Sequence, residues 1–390
     1  MTRPLPAAAL SAASRPGVTA SVGYAFRQRA DEGAWPKGWT IAEDRLVLRS
    51  RSPALPYVPS AVPARFEELA ETYDFSAGDV RLAFSKKTGE FVSFRRKGRE
   101  LFLQPMALDV FRAPTGIDMK TWAPDDGALN VTLAEGYRRM VPTLVRMTRP
   151  VLSGSVYSFE TEAVYRGSRR EHATGVIRSP YQFSFEDLGP TTRDNGHYTV
   201  TNRWWVAGDG VVALASVFVH GGNPVEPTRL GWRFVLAQAD ADVDWFGLGP
   251  HENYPDRATA AFLSRWTLKA SQFQFPYPRN QDSGNRCGTH AVRLGFTDGV
   301  FDVATLGEPF PFMVSPYSPS ELVFTSHFED LPTPHKVELG VYARVAGVDR
   351  FNSQPDDADE RDIVRIDVPY CLSILIGGDR LVRREWRDAW

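Results

Sequence analysis

Apolar residues recur at every second position along most of this chain. The clearest such run covers residues 230–236, where Leu, Trp, Phe and Leu alternate with Gly, Arg and Val. Side chains of a β-strand point alternately to opposite faces, so a period of two predicts strands with one face in a core. The same alternation in residues 18–26 predicts a strand near the N-terminus.

Short turn sequences separate several of these runs. Residues 86–89, K-K-T-G, lie between the alternating runs 80–84 and 91–94, and residues 297–299, T-D-G, follow a further run at 292–296. Such polar, glycine-containing turns between two strands predict antiparallel hairpins. Residues 211–219 are nearly all apolar, which predicts a strand covered on both faces.

Helix signals are few. Ser318 is a candidate N-cap, with Pro319 at the first helical position and Glu321 three residues after the cap, which predicts a short helix to about His327. Residues 65–73 are compatible with one or two further helical turns. Strands and helices do not alternate along the chain, which excludes a (β/α)8 barrel and a dinucleotide-binding fold. The predicted fold class is therefore all-β.

Proline content divides the chain into segments. Residues 49–64 contain four prolines and predict a stiff, extended linker. Residues 1–17 are predicted to form a disordered tail, residues 18–48 a small β segment, and residues 65–390 one large β domain.

Composition excludes several classes of partner. The formal net charge is −2, so no overall field favours nucleic acid or an anionic membrane. No stretch approaches 18 uninterrupted apolar residues, and we expect no membrane-spanning helix. The chain has 2 cysteines, far apart in sequence, which favours a reducing compartment. We therefore expect a cytoplasmic protein.

Sequence spacing gives little support for catalysis on this chain. The 7 histidines show no H-x-x-x-H or H-E-x-x-H spacing, so no metal site is predicted. Glycoside cleavage ordinarily needs two carboxylates that flank the scissile bond. Glu252 and Asp256 share a loop, but their spacing around a proline does not define that geometry. We predict no catalytic residue here.

The most specific segment is residues 245–257, W-F-G-L-G-P-H-E-N-Y-P-D-R. Its glycines and prolines exclude a helix and predict a strand that runs into a stiff loop. Two interpretations stay open, a structural corner or a contact with a ligand or another subunit. Arg257 is expected to pair with Glu252 or Asp256, or to donate to backbone carbonyls, in a bidentate geometry that holds the turn. The candidate loop residues are His251, Glu252, Asn253, Tyr254, Asp256 and Arg257.

These residues resemble a known family. The string is similar to the Gly-Leu-Gly-Pro-x-Glu-Asn-Tyr-x-Asp-Arg segment in the C-terminal domain of long-chain β-galactosidases, glycoside hydrolase family 2. Phe111-Arg112-Ala113-Pro114 and Arg286-Cys287-Gly288-Thr289 resemble other segments of that domain. Residues 35–43 resemble the last strand of the preceding immunoglobulin-like domain. The resemblance covers roughly residues 20–378.

The resemblance implies a fold and a function. It implies a galactose-mutarotase-like β-sandwich over 65–390 after a partial immunoglobulin-like domain at 18–48. The chain would be the small subunit or C-terminal region of a β-galactosidase that hydrolyses terminal β-D-galactosides such as lactose. The barrel with the catalytic glutamates is absent here, so it would belong to a large partner subunit. Mg and Na are expected on that partner, and no cofactor on this chain.

One sugar contact is implied by the resemblance. The family has a Gly-Gly-Asp-x-x-Trp loop whose tryptophan stacks on the sugar, and Phe351 occupies that position in A-G-V-D-R-F, residues 346–351. The alternative is that Phe351 folds back onto its own sandwich. Two other functions stay open: an aldose 1-epimerase-like activity, with His251 or His197 acting together with Glu252, or a non-catalytic carbohydrate-binding module.

Overall fold

The computed structural model describes residues 20–49, 57–116, 128–174, 184–297, 299–325, 327–348 and 363–377. Strands dominate these ranges and helices are short, which confirms the predicted all-β class. The strands, in chain order, are β1 (Ala20–Arg27), β2 (Thr40–Arg49), β3 (Arg65–Glu68), β4 (Thr72–Ala77), β5 (Val80–Ser85), β6 (Phe91–Arg96), β7 (Arg99–Glu100), β8 (Phe102–Asp109), β9 (Met140–Met147), β10 (Val151–Ser153), β11 (Val156–Gly167), β12 (Glu171–Thr174), β13 (Ser184–Asp187), β14 (His197–Ala207), β15 (Val212–Gly221), β16 (Arg229–Leu236), β17 (Asp242–Gly249), β18 (Phe262–Lys269), β19 (Asn285–Thr289), β20 (Ala291–Phe296), β21 (Gly299–Thr305), β22 (Phe310–Ser315), β23 (Val337–Val345) and β24 (Tyr370–Gly377).

Two large antiparallel sheets form the body of the molecule. The first has the order β10-β11-β14-β15-β24-β21-β20-β17-β18, and β9 continues its edge by pairing with β11. The second has five strands in the order β19-β22-β23-β16-β8. Consecutive strands such as β14 and β15 are neighbours in this sheet. The last strand, β24, lies between β15 and β21, both of which come earlier in the chain.

The core lies between these two sheets. Trp232 of β16 contacts Phe218 of β15 with ring centroids 5.6 Å apart, and Phe234 contacts Phe301 of β21 at 5.2 Å. All four rings are fully buried. Large apolar side chains from both inner faces thus interdigitate, as in a packed β-sandwich.

A smaller sheet of β3 to β7 covers part of the ten-stranded sheet. Phe84 of β5 packs edge-on against Trp204 of β14, with centroids 5.0 Å apart. The K-K-T-G turn joins β5 to β6, and β20 pairs with β21, so both predicted hairpins are confirmed. Residues 65–73, considered for a helix, instead contribute to the paired strands β3 and β4.

Strand β15 corrects one prediction from the sequence. Its residues alternate between buried and partly exposed positions, and Val219 is 47% exposed. One face of β15 packs on the core and the other meets solvent. The run of apolar residues at 211–219 did not indicate burial on both faces, because Ala and Val are tolerated on a solvent-facing strand.

Two α-helices occur in the described ranges, α1 (Ala128–Ala134) and α2 (Pro319–Phe324), together with 3-10 turns at Tyr137–Arg139, Ala270–Gln272 and Phe328–Asp330. Helix α2 begins as predicted. The Ser318 hydroxyl accepts the Glu321 N–H, and the Glu321 carboxylate accepts the Ser318 N–H at 2.7 Å. The helix ends at Phe324, before the expected His327. No described helix is long and apolar enough to cross a membrane.

The N-terminal segment forms the two-stranded hairpin β1–β2. The described part of the predicted linker packs on the sandwich, since the Tyr57 hydroxyl donates to Asp209 Oδ1 at 2.8 Å. Residues 1–17, predicted as a disordered tail, lie outside the described residues. The domain boundaries and the immunoglobulin-like nature of residues 18–48 stay predictions.

Candidate functional site

The loop that follows β17 is held against β19 by Asn253. Its backbone N–H donates to the Asn285 carbonyl at 2.9 Å, and its carbonyl accepts the Asn285 side-chain amide at 2.7 Å. Its side-chain oxygen accepts the Cys287 N–H at 2.8 Å. Because Asn253 is buried, each of these bonds satisfies a polar group that water does not reach.

Glu252 ties the same loop to the segment before β19. Its Oε1 accepts the Tyr277 hydroxyl at 2.8 Å, and its Oε2 accepts the Gly284 N–H at 3.0 Å. Arg257 donates to Oε1 through Nη2, so it pairs with Glu252 as expected. The pair is not bidentate, because Arg257 donates only from Nη2 to Oε1, while Oε2 accepts the Gly284 N–H. The Arg257 side chain is 51% exposed, so the pair lies half in solvent.

Tyr254 lies beneath this loop and is fully buried. Its hydroxyl donates to Asp282 Oδ2 at 2.9 Å. The guanidinium groups of Arg112 and Arg257 lie 5.7 Å and 5.5 Å from its ring centroid, within cation–π distance. Burial, and then the charge of Asp282, raises the pKa of Tyr254 well above its ordinary value. The phenol therefore stays protonated and acts as a donor.

Asp282 connects Tyr254 to a second arginine deeper in the molecule. Arg229 of β16 lies with Nη1 3.3 Å from Asp282 Oδ1 and Nε 2.9 Å from Asp109 Oδ2. Tyr342 of β23 donates to the same Asp109 oxygen at 3.0 Å. We call Asp109, Arg229, Tyr254, Asp282 and Tyr342 the buried charge centre, since each is at most 6% exposed.

Strand register brings three of these residues together. Gly231 of β16 is the pairing partner of both Asp109 on β8 and Tyr342 on β23, so the two side chains lie on either side of β16 close to Arg229. Gly231 leaves room there, because a Cβ would lie 2.3 Å from the Val341 carbonyl oxygen. The charges occupy the face of the five-stranded sheet opposite the core aromatics.

The side chains of the buried charge centre are shielded from water, and its charged groups lie close to partners of opposite sign. Burial alone would lower the pKa of Arg229, but Asp109 and its other partners raise it above the ordinary value, so the guanidinium stays charged. Burial raises the pKa of Asp282, although Arg229 and Arg112 oppose this shift. Closely paired, inaccessible charges of this kind position neighbouring segments.

Arg112, which lies over the Tyr254 ring, also binds the backbone of the segment after β23. Its Nη1 donates to the Ala346 carbonyl at 2.9 Å and its Nη2 to the Gly347 carbonyl at 2.8 Å. Gly347 also lies against Asp256, since a Cβ there would be 2.6 Å from the Asp256 carboxyl carbon. Phe351 lies outside the described residues, and its sugar contact stays a prediction. Arg112 and Asp256 fix the backbone two to three residues before that outside segment begins.

Two further basic side chains, Arg286 and His290, lie behind the loop. Arg286 donates from Nε to the Pro250 carbonyl at 3.1 Å, packs on Trp245 and Phe273, and has its pKa lowered to about 10 by burial. His290 is 3% exposed, and burial lowers its pKa to about 4. Its Nδ1 has no hydrogen-bond partner in the described part of the chain. His290 is therefore neutral at pH 7.

The predicted loop residues do come together, but in different environments. Asn253 and Tyr254 are buried, Glu252 is half-buried, and His251, Asp256 and Arg257 are exposed. His197, considered with Glu252 as an acid–base pair, lies on β14 and places its Nδ1 3.0 Å from both the Asn195 carbonyl and Arg166 Nη1. Among the described residues, no three His, Cys, Asp or Glu side chains group closely enough to hold a metal ion.

Sequence reasoning missed the buried charge centre itself. Asp109, Arg229 and Asp282 stand singly in apolar or polar runs with no local motif. One available signal was Arg229 directly before the alternating run of β16, because an arginine that continues a strand on its polar face needs an anionic partner when that face is covered.

Comparison with known proteins gives one strong match. Residues 76–376 match the model of a protein family described as "Beta galactosidase small chain". The match covers well over half of the 390 residues and includes the loop, the buried charge centre and both large sheets.

Solved structures of mutarotase-like proteins are similar to this chain with low sequence identity and low TM-scores. A putative aldose 1-epimerase from Escherichia coli K12 has 11% identity and a TM-score of 0.37, over 79% of this chain and 98% of that chain. A galactose mutarotase-like protein from Lactobacillus casei has 7% identity and a TM-score of 0.38, over 81% of this chain and 99% of that chain.

Proposed function

This chain belongs to the β-galactosidase small-chain family, and we propose that it is the small subunit, or detached C-terminal region, of an enzyme that hydrolyses terminal β-D-galactosides such as lactose. A partner chain would carry the catalytic barrel, its glutamates, and the Mg and Na sites. The observation that carries the proposal is the family match over residues 76–376. We place the assembled enzyme in the cytoplasm, in keeping with two free cysteines.

The carboxylates of the site support a positioning role. Asp109 and Asp282 are buried and paired with Arg229, and Glu252 accepts three donors. A glycosidase acid and its partner carboxylate must instead face an open cleft that admits the sugar. The chemistry is therefore assigned to the partner, and this chain is assigned the task of shaping the sugar site from one side.

The contribution of this chain would come from the segment that follows β23 and contains Phe351. Arg112 and Asp256 order the backbone at residues 346–347, which leads to Phe351. A phenyl ring can stack on the apolar C–H face of a galactoside, with a gain of about 0.5–1.5 kcal/mol beyond area burial. Precise placement matters because a misplaced contact in an active site reduces the rate steeply.

Reconstitution tests the proposal. The purified chain is mixed with the barrel-bearing chain encoded in the same genome, and hydrolysis of a nitrophenyl β-galactoside is measured for each chain alone and for the mixture. We expect no turnover from this chain alone and strong turnover from the mixture. Turnover by this chain alone, from a host that lacks its own β-galactosidase, would contradict the proposal.

Phe351 has its own test in the reconstituted enzyme. Phe351→Ala should raise KM several-fold through loss of stacking, and Phe351→Trp should keep or lower it. Leu103→Ala, at a position 47% exposed on β8, serves as the control for removal of an exposed apolar side chain. Equal KM values for all three variants and the wild type would mean that the ring does not meet the sugar.

A further inference from the structure

Two aromatic rings lie side by side on the surface between β18 and β19. The ring centroids of Phe275 and Tyr277 are 4.6 Å apart, and the ring planes are inclined at 50°. Phe275 is 56% exposed and Tyr277 is half-buried. Water therefore covers much of an apolar surface here, and a ligand that displaces this water gains free energy.

The backbone that carries the two rings is rigid. A proline follows each ring, at positions 276 and 278, and each proline fixes its own φ angle. The Tyr277 N–H donates to the Phe275 carbonyl at 2.8 Å, and the Phe275 N–H donates to the Ser283 hydroxyl at 3.1 Å. Because the segment has little conformational entropy left to lose, a ligand that contacts the rings meets a preorganised surface.

Polar groups lie at the hydroxyl end of the Tyr277 ring. The Tyr277 hydroxyl and Arg257 Nη2 both donate to Oε1 of Glu252, so the guanidinium lies next to the phenol. Burial, and then the Glu252 charge, raises the pKa of Tyr277, so its hydroxyl stays protonated. A guanidinium has five N–H donors, and the pair with Glu252 uses one of them. The half-exposed Arg257 side chain therefore has donors left for a ligand.

The size of this aromatic surface argues against a protein partner. Two half-exposed rings offer roughly 150–250 Å² of surface, whereas one side of a standard protein interface takes about 800 Å². Even with the two exposed prolines at 276 and 278, the surface stays well below that size. The occupant that fits is a small molecule, or one or two units of a polymer.

The neighbouring charges restrict the chemistry of that ligand. An anionic group would meet the Glu252 carboxylate and a cationic group would meet the Arg257 guanidinium, so an uncharged ligand is favoured. The ligand must carry an apolar face for the rings and oxygen acceptors for the remaining N–H donors. A pyranose sugar has both. Because the rings are inclined at 50°, one flat sugar ring stacks on only one of them, and a second sugar unit is needed to contact the other.

We propose that Phe275, Tyr277 and Arg257 form a binding site for an uncharged oligosaccharide of at least two pyranose units. One unit stacks on one ring, the next unit contacts the other ring, and the guanidinium donates to a sugar oxygen. All three side chains belong to this chain, so the site needs no partner and goes beyond the proposed function. In an assembled enzyme it would add a sugar contact to the one expected at Phe351.

The test measures binding to the purified full chain by ligand-detected NMR, with galactose, lactose and β-1,4-galactotetraose as probes. We expect the tetraose to bind with a Kd on the order of 1 mM, and at least about 3-fold more tightly than galactose. Phe275→Ala removes one ring and Arg257→Gln removes the guanidinium, and each should weaken tetraose binding about 5- to 10-fold. Phe324→Ala, at a position 45% exposed on α2, is the matched control and should stay within about 2-fold of wild type.

Melting temperatures separate loss of the site from loss of the fold. Both variants change side chains that are about half exposed, so their melting temperatures should stay within about 3 °C of wild type. No tetraose binding by the wild-type chain would overturn the site. Equal Kd values for wild type, Phe275→Ala and Arg257→Gln would place the sugar elsewhere and also overturn it. Reconstitution with the barrel-bearing chain measures hydrolysis separately, so this site and the proposed function can fail independently.

Discussion

Arg257 and Arg229 are two arginines near Tyr254, and each pairs with a carboxylate. Arg257 lies over the Tyr254 ring and pairs with Glu252 at a surface where its side chain is 51% exposed. Arg229 reaches Tyr254 through Asp282, and its side chain is 2% exposed. Arg229 also lies between two carboxylates, Asp109 and Asp282. The main contrast between the two arginines is their solvent access.

That difference determines how much each pair matters to stability. Water screens an exposed pair, and the long side chains lose rotamer freedom when they associate, so the net gain is small. A buried arginine that loses its partners, or buried carboxylates that lose their arginine, leaves charge without compensation in a low-dielectric interior. Arg257, which lies in the loop that is recognisable from the sequence, thus contributes less to the stability of the fold than Arg229.

The largest effect is expected from Arg229→Met. This change leaves Asp109 and Asp282 buried with no cation between them and should lower the free energy of unfolding by about 3–5 kcal/mol. Chemical denaturation measures it. Arg233→Met on the same strand is the control, since its partner Glu338 keeps Lys336 at 3.1 Å. Equal losses in both variants would show that Arg229 has no special role.

The next effect concerns pH and His290. Its pKa is about 4 in the fold against an ordinary 6.5, so the folded state resists protonation. The stability contributed by neutral His290 is present above pH 6.5 and is lost as the pH falls toward 4. Between those values wild type should lose about 3 kcal/mol more than His290→Gln.

The measurement for His290 is urea denaturation at several pH values. His335→Gln, at an exposed position, controls for the loss of one imidazole. Parallel stability curves for wild type and His290→Gln would show that the buried ring does not titrate in this range.

Arg112→Lys should have an intermediate effect. A lysine keeps the charge but cannot donate to the Ala346 and Gly347 carbonyls in the same forked geometry. One lost charge-assisted bond costs about 1.5–3 kcal/mol. Amide hydrogen exchange at residues 345–348 should rise more than the global loss of stability explains. Uniform changes across the sandwich would argue against local ordering by Arg112.

The smallest effect is expected from Arg257→Ala. Because the pair with Glu252 is half exposed and Glu252 keeps Tyr277 and Gly284, the loss should stay below about 1 kcal/mol. Thermal unfolding measures it, with Arg146→Ala on β9 as the control, because Arg146 is 49% exposed and also pairs with a glutamate, Glu160. A loss near that of Arg229→Met would remove the contrast between the two pairs.

Much of the fold follows from local pattern. The period of two at residues 230–236, the turn at 86–89 and the capping sequence at Ser318 each depend on neighbours within a few residues, and the structure confirms all three. The pairing of Arg257 with Glu252 was also within reach, because five residues separate them on one loop. The solvent exposure of this pair could not be predicted from the sequence, because burial depends on which other parts of the chain pack over the loop.

The sequence by itself determined the all-β class, the capped helix and the loop that carries the family signature, since these depend on contacts that are local along the chain. Tertiary structure alone decided the buried charge centre. Asp109, Arg229 and Asp282 come from separate strands and loops, and their charges are compatible with folding only because strand pairing brings opposite signs within 3.3 Å.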